Sequence, residues 1–147
     1  MMLFESSKTF RNFPCAHRRW QHKGHCAFVH GYSRSFTFWF RATERTENGF
    51  VMDFGDLKEV KQWLTRMFDH TLLLDSSDPL LPQFEELERQ GACKLVVYDD
   101  VGMEGTAAFV MDAVGEMVDH ATLGRVWLHS VEVRENDKNS ARVTRQP

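Results

Sequence analysis

The sequence predicts an α+β protein built around an antiparallel sheet. Strand-like alternation dominates residues 3–17, 29–43 and 125–136, and all three segments with helical spacing lie between the last two of these stretches. Strands and helices therefore do not alternate one by one, as they would in a doubly wound fold. At 147 residues we expect one domain, residues 1–147, which is long enough to bury a sizeable core.

The second predicted strand carries the clearest alternation. One face is mostly aromatic and the other is mostly small and polar. The first face consists of His30, Tyr32, Arg34, Phe36, Phe38 and Phe40. His30 and Tyr32 therefore point the same way at the start of this strand. The first predicted strand ends with Cys15 and His17 on one face, and Pro14 indicates an edge position or a bulge because proline lacks an N–H.

The remaining elements are shorter or less regular. Periodicity predicts helices at about 56–68, 80–90 and 103–121, and brief strands at 94–98 and 141–144. Either Asp53 or Asp56 could cap the first helix, because a carboxylate accepts hydrogen bonds from the free N–H groups of a first turn. Leu72 to Leu74 are expected to lead into a loop.

Composition excludes several classes of partner. The formal net charge of −3 argues against a large nucleic-acid footprint. The three cysteines form no CxxC pair, which favours a reducing, cytoplasmic location over a disulfide framework. We expect no signal peptide, because the N-terminus lacks an apolar run, and no membrane partner, because no window approaches the ~18 apolar residues of a membrane span.

Histidines are concentrated at the junction of the first two strands. Four of the seven lie between positions 17 and 30. A catalytic zinc site uses three protein ligands and an open position, and His17 could face His30 across the paired strands. The identity of the third ligand is not decided by the sequence. Tyr32 points in the right direction, but a phenol titrates near ~10 and must lose its proton to bind a metal well. His25 and His22 are better metal donors, but their positions are less certain. The alternative is that all are ordinary surface or core histidines.

Further candidate groups carry acid–base chemistry. Cys26 lies in a polar loop beside His25 and near Lys23, which would favour its thiolate, and a thiolate is a workable general base. Asp69 directly precedes His70 and could orient that imidazole. The carboxylate of Glu135, at a predicted strand end, could accept two N–H donors from a guanidine-like ring edge; a solvated charge is the alternative.

Taken in order, these residues resemble the 6-pyruvoyltetrahydropterin synthase / 6-carboxytetrahydropterin synthase family. The segments that match its motifs are Phe13–His17, Cys26–Tyr32, Gly49–Lys58, Phe68–Leu72, Glu104 and Val133–Glu135. The chain departs from the family pattern at Tyr32, where a third zinc histidine is expected. It also departs at residues 75–100, which are longer than usual between the family's helices.

The resemblance implies the tunnelling fold, in which a four-stranded antiparallel sheet carries two long helices on one face. Three subunits of that family close their sheets into a barrel and two trimers usually stack, so we expect a homo-oligomer, a trimer or a hexamer. Such an assembly would cover sheet edges, which otherwise promote aggregation. Family active sites lie between subunits, so His17 and Glu135 are not required to serve one site within one chain.

The resemblance also implies a zinc-dependent lyase with a small pterin substrate, 7,8-dihydroneopterin triphosphate. The 6-carboxytetrahydropterin synthase reaction, a step of queuosine biosynthesis, fits the short Cys-to-His spacing best. One alternative is 6-pyruvoyltetrahydropterin synthase activity. The other is a non-catalytic module that binds a pterin or purine and has lost the full zinc site.

Family roles can be assigned to individual positions on the same grounds. Zinc would be held by His17, His30 and Tyr32, with His25 as the alternative third ligand. Catalysis would use Cys26, Asp69 and His70. The substrate would be bound by Glu135, which anchors the pterin ring, and by Glu104.

Overall fold

The computed structural model describes all 147 residues, and it contains six strands and three helices. In chain order these are β1 (Phe4–His17), β2 (His30–Ala42), α1 (Lys58–Phe68), β3 (Thr71–Asp75), α2 (Leu81–Arg89), β4 (Leu95–Tyr98), α3 (Met103–Thr122), β5 (Trp127–Arg134) and β6 (Ser140–Thr144). The α+β class is confirmed. No helix has both the length and the apolar character needed to cross a bilayer.

All six strands belong to one sheet, in the order β4-β3-β1-β2-β5-β6. The neighbours β1, β2, β5 and β6 pair antiparallel and form the expected four-stranded unit. However, β3 and β4 extend the sheet with parallel pairing, β3 along β1 and β4 along β3. The prediction of a four-stranded sheet was therefore wrong by two strands.

The two added strands explain the long segment between the helices. Every residue of β3 is buried, and its central apolar run, Leu72 to Leu74, is typical of a parallel strand that is covered on both faces. Helix α2 connects β3 to β4, because parallel neighbours need a crossover connection. Leu72 to Leu74, expected to lead into a loop, instead form the middle of a strand.

The core lies between one face of the sheet and helices α1 and α3. On β2 the aromatic face is confirmed, since Phe36, Phe38 and Phe40 are fully buried. They join a cluster of 27 buried residues that includes Leu64 of α1 and Val114 of α3. The other face of the sheet is polar, as the hydrogen bond of 2.8 Å between the hydroxyl groups of Thr9 on β1 and Thr37 on β2 illustrates.

A bulge in β1 changes which residues share a face. The register with β2 shifts between Phe10 and Phe13, and Asn12 adopts a left-handed conformation there (φ 71°). Phe10 and Phe13 are consequently both buried, although simple alternation put them on opposite faces. The shift lets Cys15 and His17 continue on the buried side up to the strand's end.

Helix α1 is preceded by one turn of 3₁₀ helix, Phe54–Leu57. The carboxylate of Asp53 accepts a hydrogen bond of 2.9 Å from the backbone N–H of Gly55, so Asp53 and not Asp56 caps this entry.

Gly31 allows β1 and β2 to approach closely beside the two strand-end histidines. A Cβ atom at this position would lie 2.6 Å from the backbone carbonyl oxygen of Cys15, a contact that no side-chain movement can relieve. We expect Gly31→Ala to lower the free energy of unfolding by about 1–3 kcal/mol, measured by urea denaturation.

The matched control for that substitution is Gly115→Ala in α3. A Cβ at Gly115 meets no atom within 4 Å, and alanine favours the helix by about 0.5–1 kcal/mol relative to glycine. The control is therefore expected to be neutral or stabilising. Equal effects of the two substitutions would contradict the close approach at Gly31.

Candidate functional site

Three potential metal ligands converge where β1, β2 and β5 end. His17 closes β1, His30 opens β2, and Glu135 directly follows β5. One ligand atom from each lies within 4.8 Å of the others, and the Nε2 of His17 is 3.9 Å from the Oε1 of Glu135. His17 and His30 are direct partners in the β1–β2 register, with ring centroids 4.5 Å apart. The structure thus brings His17 and Glu135 together within a single chain.

The ring of His30 is oriented by the backbone. Its Nδ1 lies 2.7 Å from the carbonyl oxygen of Phe28, and a carbonyl only accepts, so Nδ1 carries the hydrogen. The neutral ring therefore presents an unprotonated Nε2. Metal-binding histidines are typically held this way, with the second ring N–H donating to a carbonyl or carboxylate.

His17 is held by Arg34, a residue that was not among the predicted site residues. The Nη2 of Arg34 donates to the Nδ1 of His17 over 2.9 Å, and Arg34 is fully buried. Because a guanidinium only donates, Nδ1 of His17 must accept, which leaves the hydrogen of the neutral ring on Nε2. Burial, with the positive charge of Arg34 and the neighbouring His30, lowers the pKa of His17 to about 3.

The donor set fits a zinc ion. Two imidazoles and one carboxylate form a combination found in catalytic zinc sites, and a group of three leaves the fourth position open. His30 presents a free nitrogen, and His17 is neutral near pH 7. Ligation through Nε2 of His17 would require the other neutral tautomer, with the hydrogen on Nδ1, and the contact of Nδ1 with Arg34 would then have to open.

The other predicted site residues lie outside the group formed by His17, His30 and Glu135. Tyr32 is 40% exposed, and its ring centroid is 5.9 Å from that of His30. His25 is exposed and lies outside the group of converging ligands. Glu104, predicted to bind substrate, is exposed in the first turn of α3 and is also outside that group.

Asp69 and His70 form the pair that the sequence suggested. The Nδ1 of His70 lies 2.7 Å from the Oδ1 of Asp69, while the imidazole is 82% exposed. The backbone of His70 is left-handed (φ 59°) and its N–H donates to the carbonyl oxygen of Pro14 over 2.7 Å, which ties the pair to β1. His70 and Tyr32 line one open hollow of about 420 Å³.

The loop that carries Cys26 is held together by a hydrogen bond between its own backbone groups. Cys26 is half-buried in a single 3₁₀ turn, His25–Ala27, and its carbonyl oxygen accepts a hydrogen bond of 2.9 Å from the N–H of Arg19. The guanidinium of Arg18 adds a bond of 3.2 Å to the carbonyl oxygen of Ala27. The thiol is therefore attached to a short, cross-linked loop that begins directly after His17.

The same loop is anchored to the inserted β3–α2–β4 unit. Arg18 donates two hydrogen bonds, of 2.6 and 2.7 Å, to the carboxylate of Asp78, which is fully buried. Arg19 bridges Asp75 and Asp100 at 3.2 and 2.5 Å. Both arginines are therefore paired with acids of the same chain. The long insertion serves as a platform for the Cys26 loop.

The sequence contained signals for some of the residues that we did not single out. Arg34 was visible as a charged residue within the aromatic face of β2, and a buried charge needs a specific reason. Asp78 precedes Pro79 in a predicted loop, where a solvated turn is the usual explanation. Its pairing with Arg18 depends on the insertion folding back, and nothing in the local sequence indicates that.

The fold and the converging ligands define a class of protein. A family model described as 6-pyruvoyl tetrahydropterin synthase matches residues 6–146. The chain therefore belongs to this family of tetrahydropterin synthases, and the resemblance drawn from its motifs is confirmed.

Curated relatives of the chain are named as 6-carboxy-5,6,7,8-tetrahydropterin synthases. The protein of that name from Aquifex aeolicus (strain VF5) is 27% identical, over 95% of this chain and 97% of its own length. Among solved structures, an uncharacterized protein from Wolinella succinogenes aligns with a TM-score of 0.85 at 23% identity, covering 99% of this chain and all of its own. The 6-pyruvoyl tetrahydropterin synthase of Plasmodium vivax aligns with a TM-score of 0.69 at 18% identity, covering 98% and 99%. These two structures show the shared fold.

The lowered pKa of His17 predicts a dependence of stability on pH. Between pH 6.5 and about 3 the unfolded chain binds a proton that the folded chain does not, so stability falls as the pH falls from 6.5. We expect the free energy of unfolding, measured in urea with a chelator present, to drop by roughly 2 kcal/mol between pH 6.5 and pH 5. His17→Asn should remove this drop, and an unchanged slope in that variant would contradict the assignment.

Loss of the Arg18–Asp78 pair should destabilise the protein. Asp78→Asn leaves the guanidinium of Arg18, whose side chain is only 13% exposed, without its charged partner, and we expect a loss of about 3 kcal/mol in urea unfolding. Arg18 lowers the pKa of Asp78, so the pair contributes fully above the unfolded value near ~3.9 and is lost in stronger acid. As a control, Glu86→Gln breaks the exposed pair with Arg89 and should change little. Similar losses of stability in both variants would contradict the role of the Arg18–Asp78 pair in anchoring the Cys26 loop.

Proposed function

We propose that this chain is a zinc-dependent lyase that acts on 7,8-dihydroneopterin triphosphate, with the 6-carboxytetrahydropterin synthase reaction as the best fit. The observation that carries the proposal is the convergence of His17, His30 and Glu135 at one end of the sheet in a tetrahydropterin synthase fold. Whole-length similarity to a 6-carboxy-5,6,7,8-tetrahydropterin synthase supports this reaction over the 6-pyruvoyl alternative.

His17 and His30 would hold the zinc ion. The ion would supply Lewis acidity, binding the hydroxyls of the substrate side chain and acidifying the adjacent C–H. Cys26, as its thiolate, would take that proton. The carboxylate of Glu135 lies where it can also accept an N–H from the edge of a pterin ring.

Asp69 and His70 would move the proton onward and assist departure of triphosphate or of a carbon fragment. The 2.7 Å contact orients the imidazole, since the carboxylate accepts the hydrogen of Nδ1 and leaves Nε2 for exchange. The exposure of His70 supports a site that is completed by a neighbouring subunit, as expected for a trimer or hexamer. In such an assembly the half-exposed Tyr32 would be covered as well.

A second candidate function is a pterin-binding module without catalysis. The observation that favours it is Arg34, whose bond to His17 places a hydrogen on the nitrogen that faces Glu135. A buried positive charge beside the cluster also opposes a divalent cation. Tight pterin binding without turnover, in protein shown to contain zinc, would favour this module over the lyase.

The lyase proposal predicts that Cys26→Ala loses turnover. With 7,8-dihydroneopterin triphosphate and zinc-loaded protein, we expect the release of triphosphate and the appearance of a tetrahydropterin product, separated by liquid chromatography. Removing a general base typically costs 10²–10⁴-fold, so the variant should fall by about that factor while it keeps its zinc.

Cys93→Ala is the matched control for this experiment. Cys93 is a half-buried thiol of the inserted unit whose Sγ lies 3.9 Å from the carbonyl oxygen of Phe84. Its loss should leave turnover unchanged. Full turnover by the Cys26→Ala variant would contradict the proposed mechanism. A wild-type protein that contains zinc and binds pterin but shows no turnover would favour the binding module.

A further inference from the structure

The third ligand of the metal site can be assigned from the structure, on the basis of the proposed zinc function. The sequence pattern has Tyr32 at the position where the family's third histidine is expected. In the folded chain, a different side chain reaches the two histidines. The carboxylate of Glu135 approaches His17 to 3.9 Å, and its oxygen lies within 4.8 Å of the ligand atoms of both rings.

We propose that Glu135, rather than Tyr32, is the third zinc ligand of this chain. The metal is then held by one nitrogen of His17, one of His30 and one oxygen of Glu135. Two histidines and a glutamate form a recognised donor set for catalytic zinc. The chain compensates for the missing histidine by using an acid that directly follows β5.

The distances require only a small closure of the site. With bonds of about 2.0–2.2 Å, tetrahedral zinc places neighbouring ligand atoms about 3.4 Å apart. The Nε2 of His17 and the Oε1 of Glu135 are already at 3.9 Å, and all three ligand atoms lie within 4.8 Å of one another. The backbone N–H of Glu135 donates to the carbonyl oxygen of Asn139 over 3.1 Å, so its backbone is fixed at the β5–β6 turn and its side chain closes on the metal. The ring of His17 must in turn present an unprotonated Nε2, which requires its contact with Arg34 to open.

The environment also favours the carboxylate. The side chain of Glu135 is 14% exposed and that of His17 is 5% exposed, whereas Tyr32 is 40% exposed. A carboxylate oxygen is a common zinc ligand, whereas a phenol must give up its O–H hydrogen before the oxygen can bind a cation well. Binding a cation through Tyr32 would therefore cost a further deprotonation that Glu135 avoids.

One consequence concerns how the pterin is held. A carboxylate that gives one oxygen to a metal keeps one oxygen free to accept an N–H, so Glu135 would serve both partners at once. Removing its charge should then weaken zinc binding even in the absence of any pterin. A role confined to pterin anchoring predicts no change in zinc affinity.

The test compares zinc affinity in Glu135→Gln, Tyr32→Phe and Glu132→Gln with that of the wild type, all as metal-free full-length protein. Glu132 is the matched control, because it is a carboxylate of the adjoining strand β5 whose partner is Arg134 and which lies outside the cluster. Zinc is titrated against a chromophoric chelator. Cobalt is titrated in parallel, because its visible absorption reports coordination number and ligand type.

We expect Glu135→Gln to weaken zinc binding by more than about 100-fold, since removal of residues that merely support ligands already costs 10–100-fold. Its cobalt spectrum should also change in shape. Tyr32→Phe and Glu132→Gln should remain within about threefold of the wild type with the same cobalt spectrum. If Glu135→Gln fails to fold, Glu135→Asp, which keeps the charge but shortens the reach, should show weakened binding in its place.

Several outcomes would overturn the assignment. These are a loss of zinc in Tyr32→Phe but not in Glu135→Gln, equal affinities in all variants, or no zinc binding by the wild type. Turnover of 7,8-dihydroneopterin triphosphate is measured separately. A zinc-binding wild type that never turns over would refute the lyase proposal and leave the ligand assignment standing.

Discussion

The pairing of β1 with β2 is the constraint on which the rest of the molecule depends. The bulge between Phe10 and Phe13 resets the register, and the two strands then run side by side until His17 faces His30. Gly31 permits the close approach, because any Cβ there would meet the carbonyl oxygen of Cys15. The helix-facing surface of this pair forms the core, and its end forms the site, so packing and ligand geometry share one set of backbone contacts.

Charged residues are used in two different ways around that pair. Arg18 and Asp78 satisfy each other with two hydrogen bonds and fasten the Cys26 loop to the inserted unit. Arg34 is buried with no ion-pair partner, its Nε and Nη1 lack hydrogen bonds, and its one side-chain bond goes to His17. The first arrangement contributes stability. The second is costly in an apolar interior and selects the neutral form of the histidine that it contacts.

Much of the fold could be predicted from local patterns. The aromatic face of β2, the long α3 and the antiparallel β1–β2 pair all follow from periodicity that acts over a few residues. The family could be predicted because its motifs occur in order along most of the chain, and the family model that matches residues 6–146 confirms it. The prediction missed β3 as a strand because Leu72 to Leu74 show no alternation, and a short apolar run becomes a strand only when neighbours cover both of its faces.

The sequence by itself determined the class of fold, the family, and the position of two candidate metal ligands, because each depends on residues that are neighbours in sequence or on successive strands. Only the tertiary structure decided which acid joins His17 and His30, and that Arg34 contacts His17. Glu135 lies near the other end of the chain and reaches the histidines because β5 pairs with β2. That pairing results from the burial of one sheet face against two helices, and spacing along the sequence contains no record of it.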